Sequence, residues 1–448
     1  MYDVISAEVK NVPAVGIISD GFLEDARSAA SSRGMPGVRY VPATVPPEST
    51  LKDVIEKGTL AAVEAVIKAV VTPLTPAEHS PRPKEPEKIA RIVFNGSLNE
   101  VNRFYYGRGW TDGLPIIPPT EEVVAEMLTG TDLPPDMLLG KLLPRMGKVT
   151  VEKIAVNAAM AGALPTYMPV LIAATSLLLN SEMGFQGFCT FGVSTGSWSP
   201  FWVVNGPIRN DINLNSGSGT LSPGNIANAA IGRAMGLIIK NLGGIRKGIE
   251  DMGVVGNPMK YTMVMAENEE ASPWEPLHTE FGMGRGDNAV TIAYPQSFVQ
   301  HYPPANDEDG IMRAVADYIM PAMTHTIVFP PVHAKTLASF GWTKQDIKEF
   351  IGEYARIPAA RQRPALGQAN PRLFKGKVNS REGDTLPVIR DLRTVRVVCA
   401  GGPGAFIAHI FGGGPTPGKA EIQKIELPAG WSKLAAKYKN VVPNYVRY

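Results

Sequence analysis

The sequence predicts an α/β protein, built from a small, partial, doubly wound domain with a parallel sheet and a larger α+β domain. In the first 75 residues, short apolar runs alternate with segments of helical spacing. This β-α-β-α order implies parallel strands joined by helical crossovers. The chain has 448 residues, of which 44% are apolar, so it can bury more than one hydrophobic core.

The first unit is predicted over residues 1–75. Its first strand is predicted over 12–19 (VPAVGIIS), followed by a helix over 22–33 and a second strand over 38–45. A longer helix is predicted over 52–71. One stripe of that helix carries apolar side chains, namely Leu60, Val63, Val66, Ile67 and Val70.

Residues 76–100 are predicted to be a linker and the start of a helix, because five prolines lie within 72–86. The helical spacing covers 85–106. We predict a large α+β domain over 101–385 and a C-terminal segment, 386–448, that packs back on the sheet. The sequence shows no fixed-period repeat.

Capping residues mark two helices of the large domain. Thr120 and Thr343 each precede helical spacing as N-caps, and Asp346 completes a variant capping box with Thr343. Further helices are predicted over 150–163, 165–180 and 227–241. Residues 206–225, dense in Gly, Ser, Asn and Pro, predict a long binding loop, and 395–399 predict a buried strand.

Composition excludes several function classes. Lysine plus arginine total 44 against 42 acidic residues, a formal charge of +2, so nucleic acid and membrane are not expected partners. The apolar stretch 168–179 is shorter than the ~20 residues that span a bilayer, and residues 1–11 lack a secretory signal pattern. Cys189 and Cys399 are isolated, as in a reducing compartment. We expect a cytoplasmic protein that binds a small molecule or another protein.

Four long segments, in this order, carry a resemblance to a known family. They are 110–122 (WTDGLPIIPPTEE), 145–174, 203–244 and 267–278 (ENEEASPWEPLH), and they resemble the large domain of the UGSC family. Two later segments, VHAKTLASFGWTKQDIKEFIGEYAR and VVCAGGPGAF, are similar to the C-terminal portion of that family.

The family also has a small α/β domain that opens with a strand, a U/C-Gly-Ser-Cys turn and a helix. Residues 14–43 resemble only the second half of that domain, so the motif is missing. The resemblance implies a separate small chain that carries the missing strand and a Cys-Gly-Ser-Cys turn. The alternative is a degenerate paralogue whose N-terminus packs on itself or on a second copy. A further departure lies at Ala163 and Thr166, where the family resemblance implies a cysteine and a glutamate.

The densest group of titratable residues follows a predicted strand at 261–266. It comprises Glu267, Glu269, Glu270, Glu275 and His278. Glu267, Glu270 and His278 are candidate catalytic groups for general acid–base chemistry. Glu270, Glu275 and His278 are candidate ligands of a divalent metal, the one cofactor the sequence suggests, provided that Pro276 is the first residue of a helix. The alternative is a helix start whose acids satisfy caps and the helix dipole.

A third candidate catalytic carboxylate, outside this group, is Asp112, which lies in a proline-stiffened loop after Trp110. A turn-forming aspartate before Gly113 is the alternative. The polar loop offers candidate groups for binding a small polar or anionic substrate, because glycine-exposed amides followed by a helix favour anions. With Trp110, the candidate binding residues are Thr195, Ser197, Asn205, Arg209, Asn215, Ser216, Asn228 and Arg233.

Three functions stay open. The first is the large subunit of an oligomeric enzyme whose partner chain supplies a thiol for a lyase-like or reductive step. The second is a self-contained, metal-dependent lyase or hydratase, and the third is a non-catalytic scaffold subunit. Both cysteines are predicted to be structural. His333 is also predicted to be structural, since Val332 replaces the acid that the family resemblance implies beside it.

Overall fold

The computed structural model describes residues 1–44, 52–80, 90–180, 194–320, 322, 324–358, 385–389, 391–404, 407–414 and 421–441. The described chain is α/β, as predicted from its sequence. None of the helices in these ranges is both long and apolar enough to cross a bilayer.

The N-terminal unit has the predicted β-α-β-α order, preceded by one helix. Its elements are α1 (Tyr2–Val9), β1 (Gly16–Ser19), α2 (Leu23–Ser32), β2 (Tyr40–Ala43) and α3 (Lys52–Val71). β1 pairs with β2 in parallel, with Gly16 opposite Tyr40. The predicted first strand is too long at its start, because residues 12–15 lie before the paired register.

The apolar stripe of α3 lies on the surface. Leu60 is 66% exposed and Ile67 is 56% exposed, and Ala62 is the residue of α3 that is buried. A surface helix normally turns such a stripe towards a core. In the described chain the helix packs on β2 with its other residues and leaves the stripe uncovered.

The helix predicted over 85–106 begins only at Leu98. Ser97 accepts a hydrogen bond from the backbone of Glu100, and the Glu100 carboxylate accepts one from the backbone of Ser97. This capping box fixes the start of the helix. Residues 81–89, which the prediction also covered, lie outside the described residues. Earlier in the linker, Thr75 and Glu78 form another capping box.

The short helix α4 (Pro76–His79) lies in the linker, and its Glu78 accepts hydrogen bonds from Arg39 of the N-terminal unit. The helices and strands after the linker build one large unit. Its helices are α5 (Leu98–Gly107), α6 (Glu121–Leu128), α7 (Val151–Met160), α8 (Met168–Leu179), α9 (Ile208–Asp211), α10 (Ile226–Gly243), α11 (Glu308–Tyr318), α12 (Pro331–Ser339), α13 (Lys344–Tyr354) and α14 (Trp431–Tyr438). Its strands are β3 (Leu138–Leu142), β4 (Gly147–Thr150), β5 (Phe201–Asn205), β6 (Val264–Ala266), β7 (Ala289–Ala293), β8 (Pro295–His301), β9 (Thr324–Phe329), β10 (Arg356–Pro358), β11 (Thr385–Pro387), β12 (Val395–Cys399), β13 (Ala408–Gly413) and β14 (Ile422–Lys424). The predicted caps Thr120 and Thr343 are confirmed, and α9 interrupts the predicted loop 206–225.

Two four-stranded sheets form the centre of this unit. The first has the order β14-β7-β5-β6 and the second has the order β8-β13-β9-β12. In the first sheet β5 and β6 are parallel and the other neighbours are antiparallel. In the second sheet β9 and β12 are parallel and the other neighbours are antiparallel. The two sheets therefore repeat one pairing pattern.

Strand alternation sorts the side chains into three cores. Trp202 and Val204 face α7, α8 and α10, while Ile327 and Phe329 face α11, α12 and α13. Val203 and the other side chains on the same face of the first sheet pack against side chains of the second sheet. That inner layer contains Phe201, Met265, Val328, Val398 and Phe411. Alternate residues point to opposite faces of a sheet, so the unit is a four-layer helix-sheet-sheet-helix sandwich.

The last strands of the two halves are exchanged. β8 follows β7 in the chain but pairs with β13 in the second sheet, and β14 follows β13 but pairs with β7 in the first sheet. The two halves share a topology without a fixed sequence period, so the sequence carries no visible repeat. Residues 386–448 include β12, β13 and β14, so this segment contributes strands to both sheets.

Candidate acid–base site at the strand ends

The carboxyl ends of the parallel strands of both sheets meet at one edge of the sandwich. The backbone N–H of Asn268, just after β6, donates to the carbonyl of Cys399, the last residue of β12, at 2.8 Å. Gly401 donates to the carbonyl of Ser216 at 2.8 Å. Open α/β sheets bind ligands outside the carboxyl ends of their strands. This edge is therefore the candidate site for ligand binding and catalysis.

Glu267 is the first residue after β6 and is fully buried. Its Oε2 accepts hydrogen bonds from Asn205 Nδ2 at 2.6 Å and from the backbone N–H of Leu277 at 2.7 Å. Its Oε1 has no hydrogen-bond partner within the described ranges, and Lys344 Nζ lies 3.8 Å from it. Burial raises the pKa of Glu267, against the opposing charge of Lys344. A carboxyl group whose pKa is raised in this way holds a proton more readily than an exposed one and is suited to general acid–base chemistry.

Asn205 and His278 each carry a buried polar atom at this edge that has no hydrogen-bond partner among the residues that the structure describes. These atoms are Asn205 Oδ1 and His278 Nδ1. His278 is fully buried, and its Nε2 lies 3.0 Å from the carbonyl of Gly284. A carbonyl only accepts, so Nε2 carries the proton and Nδ1 of a neutral ring is an acceptor. Each unsatisfied buried polar atom costs about 1–3 kcal/mol, which is typical of a site that waits for a ligand or water.

Lys344 was not found by sequence reasoning. It is the first residue of α13, where the positive end of the helix dipole disfavours a cation. A lysine in this unfavourable position is the feature of the sequence that could have pointed to Lys344. Lys344 Nζ also contacts Glu280 Oε1 at 3.0 Å, and Lys348 contacts Glu280 Oε2 at 2.6 Å. Burial alone would raise the pKa of Glu280, but these two lysines lower it below its ordinary value.

Arg209 ties the ends of β5 and β6 together. Its guanidinium donates to the carbonyls of Gly206 and Glu267 at 2.8 and 2.7 Å, and to both carboxylate oxygens of Glu270 at 3.1 and 3.2 Å. It also lies 3.0 Å from Glu269 Oε2. Burial opposes ionisation of Glu270, yet the hydrogen bonds from Arg209 and Asn210 lower its pKa to about 2. Arg209 is thus committed to the fold, and Glu270 stays ionised.

The three candidate metal ligands are not brought together. Glu270 pairs with Arg209, and the exposed Glu275 pairs with Arg285 at 2.9 Å. Pro276 is the N-cap of the short 3₁₀ helix Leu277–Phe281 rather than its first residue, so Glu275 lies outside that helix. Within the described ranges, no group of three or more His, Cys, Asp or Glu side chains is arranged to hold a metal ion.

Asp112 and Arg233 form a pair of their own on the outer side of α10. Arg233 donates to both oxygens of Asp112 at 2.8 and 3.0 Å and to the carbonyl of Pro115 at 2.8 Å. Asn241 donates to the carbonyl of Trp110 at 3.0 Å. All of these partners belong to this chain. The contacts therefore hold the 109–116 loop against α10.

The asparagines of the polar loop also bond to one another. The Asn228 side chain accepts from the backbone of Asn215 and donates to the carbonyls of Asn215, Thr220 and Val264, at 2.9 to 3.2 Å. Ser216 presents its carbonyl to Gly401. These contacts shape the loop beside Glu267 and leave the amide of Asn228 occupied.

Thr195 and Ser197 lie at the opposite end of the first sheet. They precede β5, whereas Asn205 ends it, so the five residues of that strand separate them by about 13 Å or more. Val254 donates to the carbonyl of Thr195 at 3.2 Å. Thr195 and Ser197 are therefore not brought together with the polar-loop candidates Asn205, Asn215, Ser216 and Asn228. Cys189 lies outside the described residues.

The N-terminal unit docks at that same opposite end. Ser28 of α2 donates to Oε1 of the buried Glu250 at 2.5 Å, and Arg246 contacts the same oxygen at 2.7 Å. Glu250 precedes β6, whereas Glu267 follows it. Burial and then the charge of Glu250 raise the pKa of Asp25, which is also on α2, to about 6.

Asp25→Asn is expected to stabilise this docking near pH 7. The raised pKa means that Asp25 favours folding fully below pH 3.8, and that this contribution is lost as the pH rises through about 6. Asparagine mimics the protonated form at every pH, so we expect a gain of about 1–2 kcal/mol near pH 7 and little change near pH 4. Hydrogen exchange of α2 amides at both pH values measures it. Equal exchange in both proteins near pH 7 would contradict the assignment.

Cys399 has the environment of a core thiol. It is fully buried, and burial followed by the charge of Glu267 raises its pKa to about 12. A thiol is nucleophilic as its thiolate, so Cys399 is poorly suited to attack a substrate. His333 is also fully buried, at the start of α12.

Comparisons with known proteins give one positive result. No curated protein matches the chain, and no solved structure matches it. The model of the UGSC family matches residues 1–74, the range that holds α1, β1, α2, β2 and α3. The resemblance to the UGSC family that the sequence predicted is thereby confirmed for the N-terminal unit of this chain.

Proposed function

We propose that this chain is the large subunit of a hetero-oligomeric, cytoplasmic enzyme that acts on a small polar or anionic organic substrate. A separate small chain adds a strand beside β1 and carries a Cys-Gly-Ser-Cys turn, whose thiol performs a lyase-like or reductive step. The observation that carries this proposal is the open edge of β1.

β1 pairs with β2 on one side, and no strand of the described chain lies on its other side. Ile17 in the middle of β1 is 52% exposed. The apolar stripe of α3 is exposed in the same unit. An unpaired strand edge beside uncovered apolar surface promotes aggregation unless another chain covers it. A partner that extends the sheet would cover this edge and part of the exposed apolar surface.

The partner's thiol would sit where a strand leads into a helix, because a helix N-terminus lowers a cysteine pKa. The N-terminal unit contacts the large unit at Glu250, so the thiol chemistry would lie nearer to Ser197 than to Glu267. A thiol centre predicts that turnover depends on residues near Ser197, whereas the acid–base centre predicts that it depends on Glu267. Substitution of these residues therefore distinguishes the two centres.

Ile17→Pro is expected to abolish assembly with the partner and to leave the isolated chain folded. Gly16 donates its N–H to the carbonyl of Arg39, the residue just before β2, and parallel pairing alternates, so the N–H of Ile17 points to the open edge. Proline removes that donor. Ile17→Thr keeps it and serves as the control.

The measurement is co-purification of the tagged chain from its native cells, with thiol labelling of any bound small chain. We expect a stoichiometric chain with a labelled Cys-Gly-Ser-Cys turn, present with wild type and Ile17→Thr and absent with Ile17→Pro. A wild-type chain that is monomeric, soluble and fully active alone would refute the proposal.

A second candidate function is a self-contained lyase or hydratase. It is favoured by the buried Glu267 with its unpartnered Oε1 beside Lys344. In this version Glu267 moves a proton and Lys344 stabilises negative charge that develops on the substrate. A metal-dependent form would bind a stoichiometric divalent ion, which elemental analysis of the isolated chain detects. A scaffold role would instead leave turnover of the complex unchanged when Glu267 and His278, the two candidate catalytic groups without an arginine partner, are replaced by alanine.

A further inference from the structure

The second sheet has an edge that matches the Glu267 edge of the first sheet. β8 and β9 are both antiparallel to β13, so they run in the same direction. Their carboxyl ends lie at one edge with that of β12. β8 ends at His301, and α12 begins two residues after β9 at Pro331. None of these residues belongs to the candidate site around Glu267.

His301 is fully buried, and neither of its ring nitrogens has a hydrogen-bond partner in the described part of the chain. A neutral imidazole carries one N–H donor and one acceptor, so both capacities are unused. Buried polar side chains normally find a partner, and an exception points to a missing ligand or water. The His301 ring stacks on Tyr318 with ring centroids 6.0 Å apart, which holds it in place.

Among the described residues, the groups that act on His301 include no carboxylate that would repel an anion. Burial, then the neighbouring His333 and His409, lower the pKa of His301 to about 4. Its ring is therefore neutral near pH 7 and carries one N–H that can donate to an anion oxygen.

The start of α12 adds a second feature that favours an anion. Its N-cap is Pro330, which offers no side-chain cap, and the helix has nine residues. The first N–H groups of such a helix carry partial positive charge and bind anions. In the first sheet the corresponding strand ends hold Glu267 and Glu269, with Arg209 already committed. The second sheet thus presents donors where the first presents carboxylates.

We propose that the edge formed by His301, His333 and the start of α12 binds a small anion through carboxylate or phosphate oxygens. His301 donates one ring N–H to an anion oxygen, and the α12 backbone N–H groups donate to another. The site uses none of the residues of the Glu267 centre and does not involve the open edge of β1, so it does not depend on either proposed function.

The test is titration calorimetry of the purified chain with sodium acetate and with inorganic phosphate at constant ionic strength. His301→Phe keeps a ring on Tyr318 and removes both nitrogens, so we expect binding at least about tenfold weaker. His301→Gln, which keeps a donor, is expected to bind with intermediate strength. The matched control is His325→Phe, because buried His325 lies at the other end of the same sheet and bonds to the carbonyl of Met320. This control is expected to bind as wild type does.

Binding of either anion that His301→Phe weakens and His325→Phe does not would support the site, and the preferred anion would define its class. The melting temperature of His301→Phe should be no lower than that of wild type, since the change removes an unsatisfied polar group. Three results would overturn the proposal. They are no binding by the wild type, equal binding by His301→Phe, and binding of zinc ions in place of the anions.

Discussion

Glu267→Gln is expected to lower the turnover of the self-contained enzyme by about 10²–10⁴-fold, the usual contribution of a general acid or base. Glutamine keeps the shape and the contacts that Asn205 and Leu277 make, but it cannot exchange a proton. The expected physical signature does not require a known substrate. As the pH is lowered, the infrared band of a protonated, buried carboxyl group should appear in wild type at a higher pH than for an exposed glutamate, because burial raises the pKa of Glu267, and it should be absent in the variant.

The stability of Glu267→Gln also has a predicted sign. Burial raises the pKa of Glu267, so its ionised form costs folding energy above that pKa, and the cost disappears below the unfolded value. Glutamine should therefore be more stable than wild type at neutral pH and equal to it in acid. Glu270→Gln is the control, since Glu270 is ionised and paired with Arg209, and its turnover should change far less. If Glu270→Gln lost turnover as severely as Glu267→Gln, the assignment of roles would be wrong.

Arg209→Met is expected to destabilise the large unit by about 3–5 kcal/mol, the cost of removing one partner from a buried charge cluster. Arg209 is 3% exposed and bridges the ends of β5 and β6. Without it, Glu269 and Glu270 lose their shared cation and the Glu267 carbonyl loses a donor. Urea unfolding followed by tryptophan fluorescence should report the loss, because Trp202 lies in the adjacent core.

A surface pair provides the comparison for Arg209→Met. Arg285 and Glu275 are each more than 60% exposed, and such pairs contribute about 0–1 kcal/mol. Arg285→Met should therefore unfold almost as wild type does. Equal losses for the two substitutions would mean that Arg209 is not the bridge between the strand ends.

Local signals were sufficient for much of the fold. The helix over Lys52–Val71 and the strand over Val395–Cys399 have the predicted bounds, because their apolar spacing and flanking residues mark both ends. Thr120 caps α6 and Thr343 caps α13 as expected, since a capping interaction involves residues only two or three positions apart. The parallel pairing of β1 and β2 followed from their helical crossover.

The pairing of distant strands was beyond these signals. β14 pairs with β7 across more than 120 residues, and the exchange of β8 and β14 between sheets leaves no periodic mark. Likewise, the spacing of Glu270, Glu275 and His278 suggested a common site, but Arg209 and Arg285 neutralise the two glutamates. The partners of those carboxylates lie far from them in the chain or outside the assumed helix.

The sequence by itself determined the local elements, the polar loop and the position of Glu267 directly after a strand. Only the tertiary structure decided that Glu267 is buried against Lys344, that Asp112 pairs with Arg233, and that the N-terminal unit docks at the other end of the sheet from Glu267. The physical reason is the distance along the chain over which each kind of interaction acts. Propensities and caps act within a few residues, whereas burial and charge pairing depend on which distant segments the packed sheets bring together.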